Sequence, residues 1–395
     1  MLTWAEIDLS AISHNLQQIK SIVEPEGSSV LAVIKDNAYG HGAVEVAHIA
    51  EKANVRMFGV ATVEEAVQLR QVNIQTPILI FCCILPEQAD EVLRYDITQT
   101  ICDLRTCEIL SESAGRLGKK AKVHVKIDTG MGRIGIAYKK AVELVKQIVQ
   151  LPNIVIDGIF THFAVADTDE AFTKIQIKRF DAVISDLNKT GINISIRHSA
   201  NSAGILNFSS SYYDMVRPGL ALYGLYPCEN PYKKVDLKPA LSLKTRVAYL
   251  KELPAGHSIS YGRTYVTDKL TKVATLAVGY GHGYSRKLSN KGEVLIRGKR
   301  VRIIGTICMD QCLCDVTHIP DVTIGDEVVL IGKQGEQEIT ADEVANKIGT
   351  ISYEVLCGIN ANVRRIYNIF ENGGKGDLKT YLDNNAITTR IENCP

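Results

Sequence analysis

Val123-His-Val-Lys-Ile127, Ala141-Val-Glu-Leu-Val-Lys-Gln-Ile-Val149 and Ile156-Asp-Gly-Ile-Phe-Thr161 follow one another along the chain and decide its fold class. The first and third are short apolar runs of β type. In the segment between them, apolar residues recur at three- and four-residue spacing, as a helix with one face on a core requires. Strand, helix and strand in that order imply parallel pairing, because a parallel neighbour is reached only by a crossover.

The same alternation extends outward from this unit. Runs at 30–34, 57–61, 77–81, 98–102, 194–197 and 215–219 bring the strand candidates to eight, with helical patterns at 44–52, 63–70, 104–117, 140–151 and 175–187 between them. Eight such units predict an α/β architecture in which residues 1–236 form a (β/α)8 TIM-type barrel. A doubly wound sheet is the competing arrangement. No Gly-x-Gly-x-x-Gly lies between the first strand and the first helix, which weakens a dinucleotide fold.

From about residue 237 the pattern changes. Apolar runs at 242–250, 273–278, 294–296, 301–308 and 328–331 are separated by turns, and Arg297-Gly-Lys299 reads as a tight hairpin. One late helix at 341–347 precedes an extended stretch at 351–356. Residues 237–370 are therefore expected to form a second, mostly β domain, which the N-terminal strand is a candidate to join. Residues 371–395, with Gly373-Gly-Lys-Gly376 and little apolar periodicity, read as a surface or partly disordered tail.

Composition excludes several classes. Of the 395 residues 46% are hydrophobic and 23% charged, and the net charge of +1 offers nothing to a polyanion such as nucleic acid. No apolar stretch reaches the roughly 18 residues of a membrane helix. Met1-Leu-Thr-Trp-Ala-Glu-Ile-Asp8 has neither the basic nor the apolar region of a secretory signal, so a cytoplasmic protein is expected. The ten cysteines contain no Cys-x-x-Cys pair, which reads as reduced thiols rather than a metal site.

A barrel places functional side chains at the C-terminal ends of its strands. Lys35 follows the first strand candidate, Asp128 and Arg133 the fifth, His162 the sixth, and Asn201 and Ser202 the seventh; Arg217 lies in the last. Any one alone reads as an ordinary loop residue. Five positions on one rim are harder to dismiss. Lys35 ends an apolar strand before a Gly-rich turn, where nearby cations and desolvation would lower its pKa and suit it to Schiff-base or base chemistry. Its plain alternative is a strand-end lysine reaching for water.

Ala32-Val-Ile-Lys-Asp-Asn-Ala-Tyr-Gly-His-Gly42 closely resembles the pyridoxal-phosphate attachment signature of alanine racemases. The resemblance continues in order through Lys126-Ile-Asp-Thr-Gly-Met-Gly-Arg-Ile-Gly135, Thr161-His-Phe-Ala164, Ala200-Asn-Ser-Ala203, Met215-Val-Arg-Pro-Gly-Leu-Ala-Leu-Tyr-Gly224, Ser260-Tyr-Gly262, Gly279-Tyr280, Cys308-Met-Asp-Gln311 and Tyr353-Glu-Val355. It spans Trp4 to about Tyr367. The family's fold is a pyridoxal-phosphate barrel followed by a β domain.

The resemblance implies an isomerase that interconverts L- and D-alanine, whose D-alanine usually supplies cell-wall peptidoglycan. Lys35 would hold pyridoxal 5′-phosphate through its amine and act as one base. Tyr261 would be the other, supplied in the family by the partner subunit of a homodimer. Two bases are needed because the enantiomers present Cα–H to opposite faces of a planar cofactor. Arg217 resembles the arginine at the pyridine nitrogen, and His162 the histidine hydrogen-bonded to it. Tyr39, Ser202 and Tyr353, with the N–H groups of Gly219 and Leu220, would hold the phosphate, and Asn201 belongs to the same cofactor set. Arg133 would meet the phenolic oxygen and the substrate carboxylate, and Met309 would bind that carboxylate through its N–H. Lys126 matches a lysine that some members carbamylate; Tyr280 and Asp310 match entryway positions. Read without the resemblance, Tyr261 is a packed turn tyrosine and Arg217 an ion-pair partner.

Three positions depart from the family pattern. Gly281-His282 stands where Ala-Asp is usual, Thr306 where arginine is usual, and Asp36 where a small residue is commoner. The first two bear on the approach to the site and the support of its tyrosines. Three rivals follow from the same motifs. A serine or broader amino-acid racemase is disfavoured by Tyr353, whose phenol would leave little room beyond a methyl. The related decarboxylases would need a different pyridine partner from Arg217. A non-enzymatic pyridoxal-phosphate-binding protein would share only the barrel half.

Overall fold

The computed structural model describes residues 2–228, 231–232, 235–371 and 374–376. The chain divides into two compact units. One comprises Ala11–Ala38 and Gly42–Lys238; the other comprises Met1–Ser10, Tyr39–His41 and Pro239–Pro395.

The opening strand is β1 (Trp4–Asp8). The barrel strands are β2 (Ser29–Val33), β3 (Met57–Val60), β4 (Ile78–Ile80), β5 (Thr98–Ile101), β6 (Ala121–Asp128), β8 (Ile154–Phe160), β9 (Ile196–His198) and β10 (Met215–Val216), with the short β7 (Ile136–Ala137) paired to β6. All eight barrel strands pair in parallel in the order β10-β2-β3-β4-β5-β6-β8-β9. Backbone hydrogen bonds from Asp214 N–H to Arg197 O at 3.0 Å and from Arg217 N–H to Ala200 O at 2.9 Å bridge the remaining gap. The result is the nearly closed barrel that the strand spacing predicts.

Its wall reads from the sequence because parallel strands are covered on both faces and so become continuous apolar runs. β2 and β3 are buried almost throughout. The helices Ala43–Lys52, Val63–Gln71, Leu104–Leu117, Ala141–Ile148 and Glu170–Lys189 occupy the predicted places. Thr62, Asp103 and Asp169 cap three of them, each side chain accepting a backbone N–H of the first turn. Helices Leu9–Val23, Ala89–Arg94 and Ser202–Asn207 were not anticipated.

Gly59 in β3 shows how tightly the wall is filled. A Cβ there would overlap the Phe81 ring and come within 2.7 Å of Leu31 Cδ2. Gly59→Ala is therefore expected to cost about 1–3 kcal/mol by overpacking. Urea unfolding of the two proteins measures it, and an unchanged midpoint would refute the packing argument.

In the other unit, β1 pairs antiparallel with β11 (Leu241–Leu253) and parallel with β20 (Arg364–Glu371). The unit also contains β12 (Ser258–Ile259), β13 (Tyr265–Val266), β14 (Thr271–Leu276), β15 (Glu293–Ile296), β16 (Lys299–Arg302), β17 (Cys312–Asp315), β18 (Glu327–Gln334), β19 (Gln337–Ile339) and β21 (Gly374–Gly376). β15 and β16 form the predicted hairpin. Its two turn residues, Arg297 at φ 51° and Gly298 at φ 71°, both sit in the left-handed region that such a turn demands.

Two expectations fail here. In the run at 301–308 the strand ends at Arg302, Ile303 adds one isolated bridge to Cys314, and Gly305 at φ 74° then turns the chain. Residues 351–356, expected to be extended, lie almost wholly in the helix Ser352–Cys357. A short apolar run has no period of its own, and packing chose the other state. Of the expected tail, Gly374–Gly376 pairs antiparallel with β20 and Glu371 ends that strand; the remainder lies outside the described residues. No described helix is long and apolar enough to cross a membrane.

Candidate active site

The C-terminal ends of five barrel strands carry polar side chains. Lys35 follows β2, Asp128 ends β6 with Arg133 in the loop beyond, His162 follows β8, Asn201 and Ser202 follow β9, and Arg217 follows β10.

Lys35 begins an unusual turn. Asp36, Asn37, Ala38 and Tyr39 have φ of 53°, 52°, 54° and 54°, a complete left-handed helical turn built without glycine. Each such residue costs roughly 1–2 kcal/mol relative to the right-handed form, so the surroundings must hold it. Ala38 N–H donates to Ile34 O at 2.9 Å, and Gly42 N–H to Asn37 O at 3.0 Å. The Asn37 side chain accepts from Ala43 N–H at 2.9 Å. Glu65 accepts from the N–H groups of both Asp36 and Ala61, tying the loops after β2 and β3 together. The Lys35 amine is half-buried, 3.7 Å from the Asp36 carboxylate.

Arg217 is 3% exposed. Its guanidinium donates to Thr161 O at 2.7 Å, Ser199 O at 2.8 Å and His198 Nδ1 at 2.9 Å, with His162 Nδ1 at 3.4 Å. Burial pulls its pKa down to about 9, which still leaves it a cation at neutral pH. The sequence reading paired it with His162 and missed His198, the closer partner. The available signal was a histidine at the very end of the seventh strand.

Phe160 packs at the centre of these groups. His198 stacks on it at 4.7 Å, Lys126 Nζ lies 4.5 Å from its centroid and Arg217 Cζ 5.5 Å. Lys126 is 3% exposed, and burial plus the charges of Arg217 and Arg133 hold its amine well below the usual lysine range. Arg133 itself is exposed, on a loop whose Gly130 and Gly132 N–H groups bind the Asp128 carboxylate.

Burial and the neighbouring cations hold His162 and His198 well below the ordinary histidine value, and burial lowers His124. In the unfolded chain each imidazole titrates near 6.5. Between the folded and unfolded values the unfolded state binds more protons, so stability is lost as pH falls below about 6.5. Three such groups set a limiting slope of roughly 4 kcal/mol per pH unit. Urea midpoints at pH 7.5, 6.5 and 5.5 test this, and a flat series would contradict it.

After β9 the chain makes a compact donor loop. Asn201 caps the helix Ser202–Asn207 by accepting from Gly204 N–H at 2.9 Å. The buried Ser202 hydroxyl accepts from Gly219 N–H at 3.0 Å and Ala221 N–H at 3.2 Å, which fixes the backbone around Leu220.

In the other unit, Tyr261 sits among backbone in the left-handed region, with Ser260 at φ 62°, Gly262 at 73° and Arg263 at 49°. Tyr261 is 71% exposed. Thr306, one of the departures, is buried and donates from Oγ1 to Tyr261 O at 2.8 Å. It therefore supports the tyrosine's backbone rather than its phenol. Tyr280 and Gly281 donate to the carbonyls of Cys308 and Met309 at 3.1 and 2.9 Å. His282, another departure, accepts from Gly279 N–H through Nδ1 at 3.3 Å. Met309 is 56% exposed and Asp310 is exposed beside it. Tyr39 and Tyr353 lie with ring centroids 6.0 Å apart.

The profile described as alanine racemase, N-terminal domain, matches residues 7–227, and that described as alanine racemase, C-terminal domain, matches 240–367. An alanine racemase of Halothermothrix orenii is 48% identical over 368 residues, 92% of this chain and 96% of that protein. The solved alanine racemase of Clostridium difficile superposes with a TM-score of 0.90 at 39% identity, over 95% of this chain and 98% of the other. The Bartonella henselae enzyme, solved with covalently bound pyridoxal phosphate, gives a TM-score of 0.83 at 30% identity over 93% and 99%. Matches to both domains, at this identity and over nearly the whole chain, mean that the chain belongs to the alanine racemase family and is an amino-acid racemase.

Proposed function

We propose that this racemase acts on alanine in the cytoplasm as a homodimer, with pyridoxal 5′-phosphate as cofactor and Lys35 and Tyr261 as the two bases. The residues present suit that cofactor by the chemistry of their donors. The Ser202 hydroxyl, held in place by the Gly219 N–H, with the Leu220 N–H and the hydroxyls of Tyr39 and Tyr353, suits a phosphate held by neutral groups. Asn201 positions Ser202 by capping its helix. Arg133 suits a phenolic oxygen and a substrate carboxylate, and Met309 N–H a second carboxylate contact. When bound, the cofactor draws electrons from the substrate's α-carbon and makes its C–H acidic.

The observation that carries the reading is Arg217. A buried guanidinium fixed by three acceptors can only donate, so it cannot take a proton from a pyridine nitrogen. His162 Nδ1 lies 3.4 Å from the same guanidinium nitrogen that bonds Thr161 and Ser199. Such a partner limits the electron sink and with it the side reactions of a stronger one. Lys35, at the end of β2, removes or returns a proton on one face. Tyr261, whose exposure suits delivery to a partner subunit, serves the opposite face. Tyr280 and Asp310 line the approach.

Lys126 extends the reading. Burial and the charges of Arg217 and Arg133 favour its neutral amine, the form that attacks carbon dioxide, making an N–C bond as one C=O π bond opens to a carbamate and a proton is released. The carbamate would turn Lys126 from a cation into an anion facing the charges of Arg133 and Arg217, and would orient Arg133.

The test is enantiomer interconversion of L- and D-alanine beside L-serine, with α-proton exchange followed in deuterium oxide. Fast alanine turnover supports the proposal. Equal or faster serine turnover would move the specificity to serine, and conversion of neither would overturn the substrate assignment.

A further inference from the structure

We infer that Asp157, His124 and His198 are positioning residues for Arg217: two hydrogen bonds that run one way, from Arg217 to His198 and from His198 to His124, end on the Asp157 carboxylate and fix the arginine's histidine partner in a single tautomer. The inference rests on the placement of Arg217 at the cofactor.

The direction of the chain follows from one fact: a guanidinium has donors and no acceptor. Arg217 Nη1 lies 2.9 Å from His198 Nδ1, so that nitrogen accepts and the His198 proton sits on Nε2. His198 Nε2 lies 2.9 Å from His124 Nδ1, so this second nitrogen must accept in turn. The His124 proton is thereby placed on Nε2, which faces Asp157 Oδ2 at 3.6 Å. That is long for a direct hydrogen bond but short for attraction between an N–H and a carboxylate. Arginine at one end and a carboxylate at the other leave each imidazole one tautomer.

The backbone is shaped for this arrangement. β6 and β8 pair Val123 with Ile156 but His124 with Gly158, so Asp157 is the extra residue of a β-bulge. Bulges re-aim side chains, and here the displaced residue is the one that meets His124. Gly158 next to it leaves the slot for the ring: a Cβ would stand 2.5 Å from His124 Cε1. Phe160 stacks on His198 with the ring planes 2° apart. Both imidazoles are fully buried, while the Asp157 side chain is 33% exposed. Burial and the Arg217 charge keep His198 neutral, as the chain requires. A proton on His198 Nδ1 would point at the arginine's own N–H and release it.

The experiment is ¹⁵N NMR of the histidine side chains in the holoenzyme, with Asp157→Leu and Asp157→Asn beside wild type. In wild type His198 and His124 are expected as neutral Nε2–H tautomers. Asp157→Leu leaves the buried His124 Nε2–H facing no acceptor, a cost that works against the tautomer the arginine imposes; it is expected to shift the His124 resonances towards a mixture and to lower kcat about tenfold, the lower end of what a lost outer partner costs at a reactive site. Asp157→Asn keeps an oxygen acceptor and is expected to restore both the tautomer and most of the rate. A merely structural residue would move the melting temperature and leave the tautomers alone. An Nδ1–H or protonated His198 in wild type would overturn the inference, as would a Leu variant with unchanged tautomers. Because the tautomers are read from the spectrum, a protein that failed to racemise alanine would refute the proposed function while leaving the chain decided on its own evidence.

Discussion

Lys35→Ala is expected to lower alanine racemisation by at least about three orders of magnitude, within the 10²–10⁴ range of a lost general base and further by loss of the cofactor's attachment. The side chain follows β2 and is half-buried, so its removal leaves the wall of the barrel intact. The backbone bonds that hold the turn, Ala38 to Ile34 and Gly42 to Asn37, do not involve it. The fold should therefore unfold at an unchanged urea concentration while activity disappears. D-alanine formation at saturating pyridoxal phosphate measures the loss. Borohydride reduction followed by peptide mass spectrometry should place the cofactor's mass on Lys35 in wild type only. Activity within tenfold of wild type would rule this lysine out as base and attachment point.

Tyr261→Phe should separate two events that racemisation couples. Interconversion is expected to fall by about 10²–10⁴. Solvent deuterium should still enter the α-position of one enantiomer, because the lysine on the other face remains. A symmetrical loss of exchange from both enantiomers would mean that one base serves both faces. The residue is 71% exposed and Thr306 grips only its backbone, so stability should not change. That contrast distinguishes a lost base from a damaged fold.

The barrel was legible because its physics writes a plain pattern. Each wall strand is a short apolar run, and each helix between strands shows one apolar face, so eight strands could be placed to within a few residues. What escaped was set by context rather than by local pattern. Ile351-Ser-Tyr-Glu-Val-Leu356 is rich in β-formers, yet Ser352–Cys357 is helical. The strand of Val301 ends at Arg302 because Gly305 breaks it, and an isolated glycine in an apolar run marks equally well a bulge, a turn or nothing.

The candidate site was legible in part for the same reason: strand ends point at the rim, and Lys35, His162, Ser202 and Arg217 all follow one. His198 escaped because the strand read from the sequence stopped at Arg197, and a histidine one residue beyond it looks like any other until its neighbours are known. Asp157 escaped because a bulge leaves no mark in the sequence of a single strand. The left-handed turn escaped as well. Asn and Asp tolerate that conformation, but Ala38 and Tyr39 carry no sign of it.

That turn bears on how this protein would respond to breeding for heat resistance. Glycine meets no steric penalty in left-handed backbone, so replacements at 36–38 whose relief of strain outweighs glycine's larger loss of chain entropy would raise the temperature of unfolding. The same replacements would loosen the segment that aims Lys35. Variants chosen only for survival on heating would thus drift towards a sturdier and slower enzyme at these three positions, and a screen run for turnover would discard them.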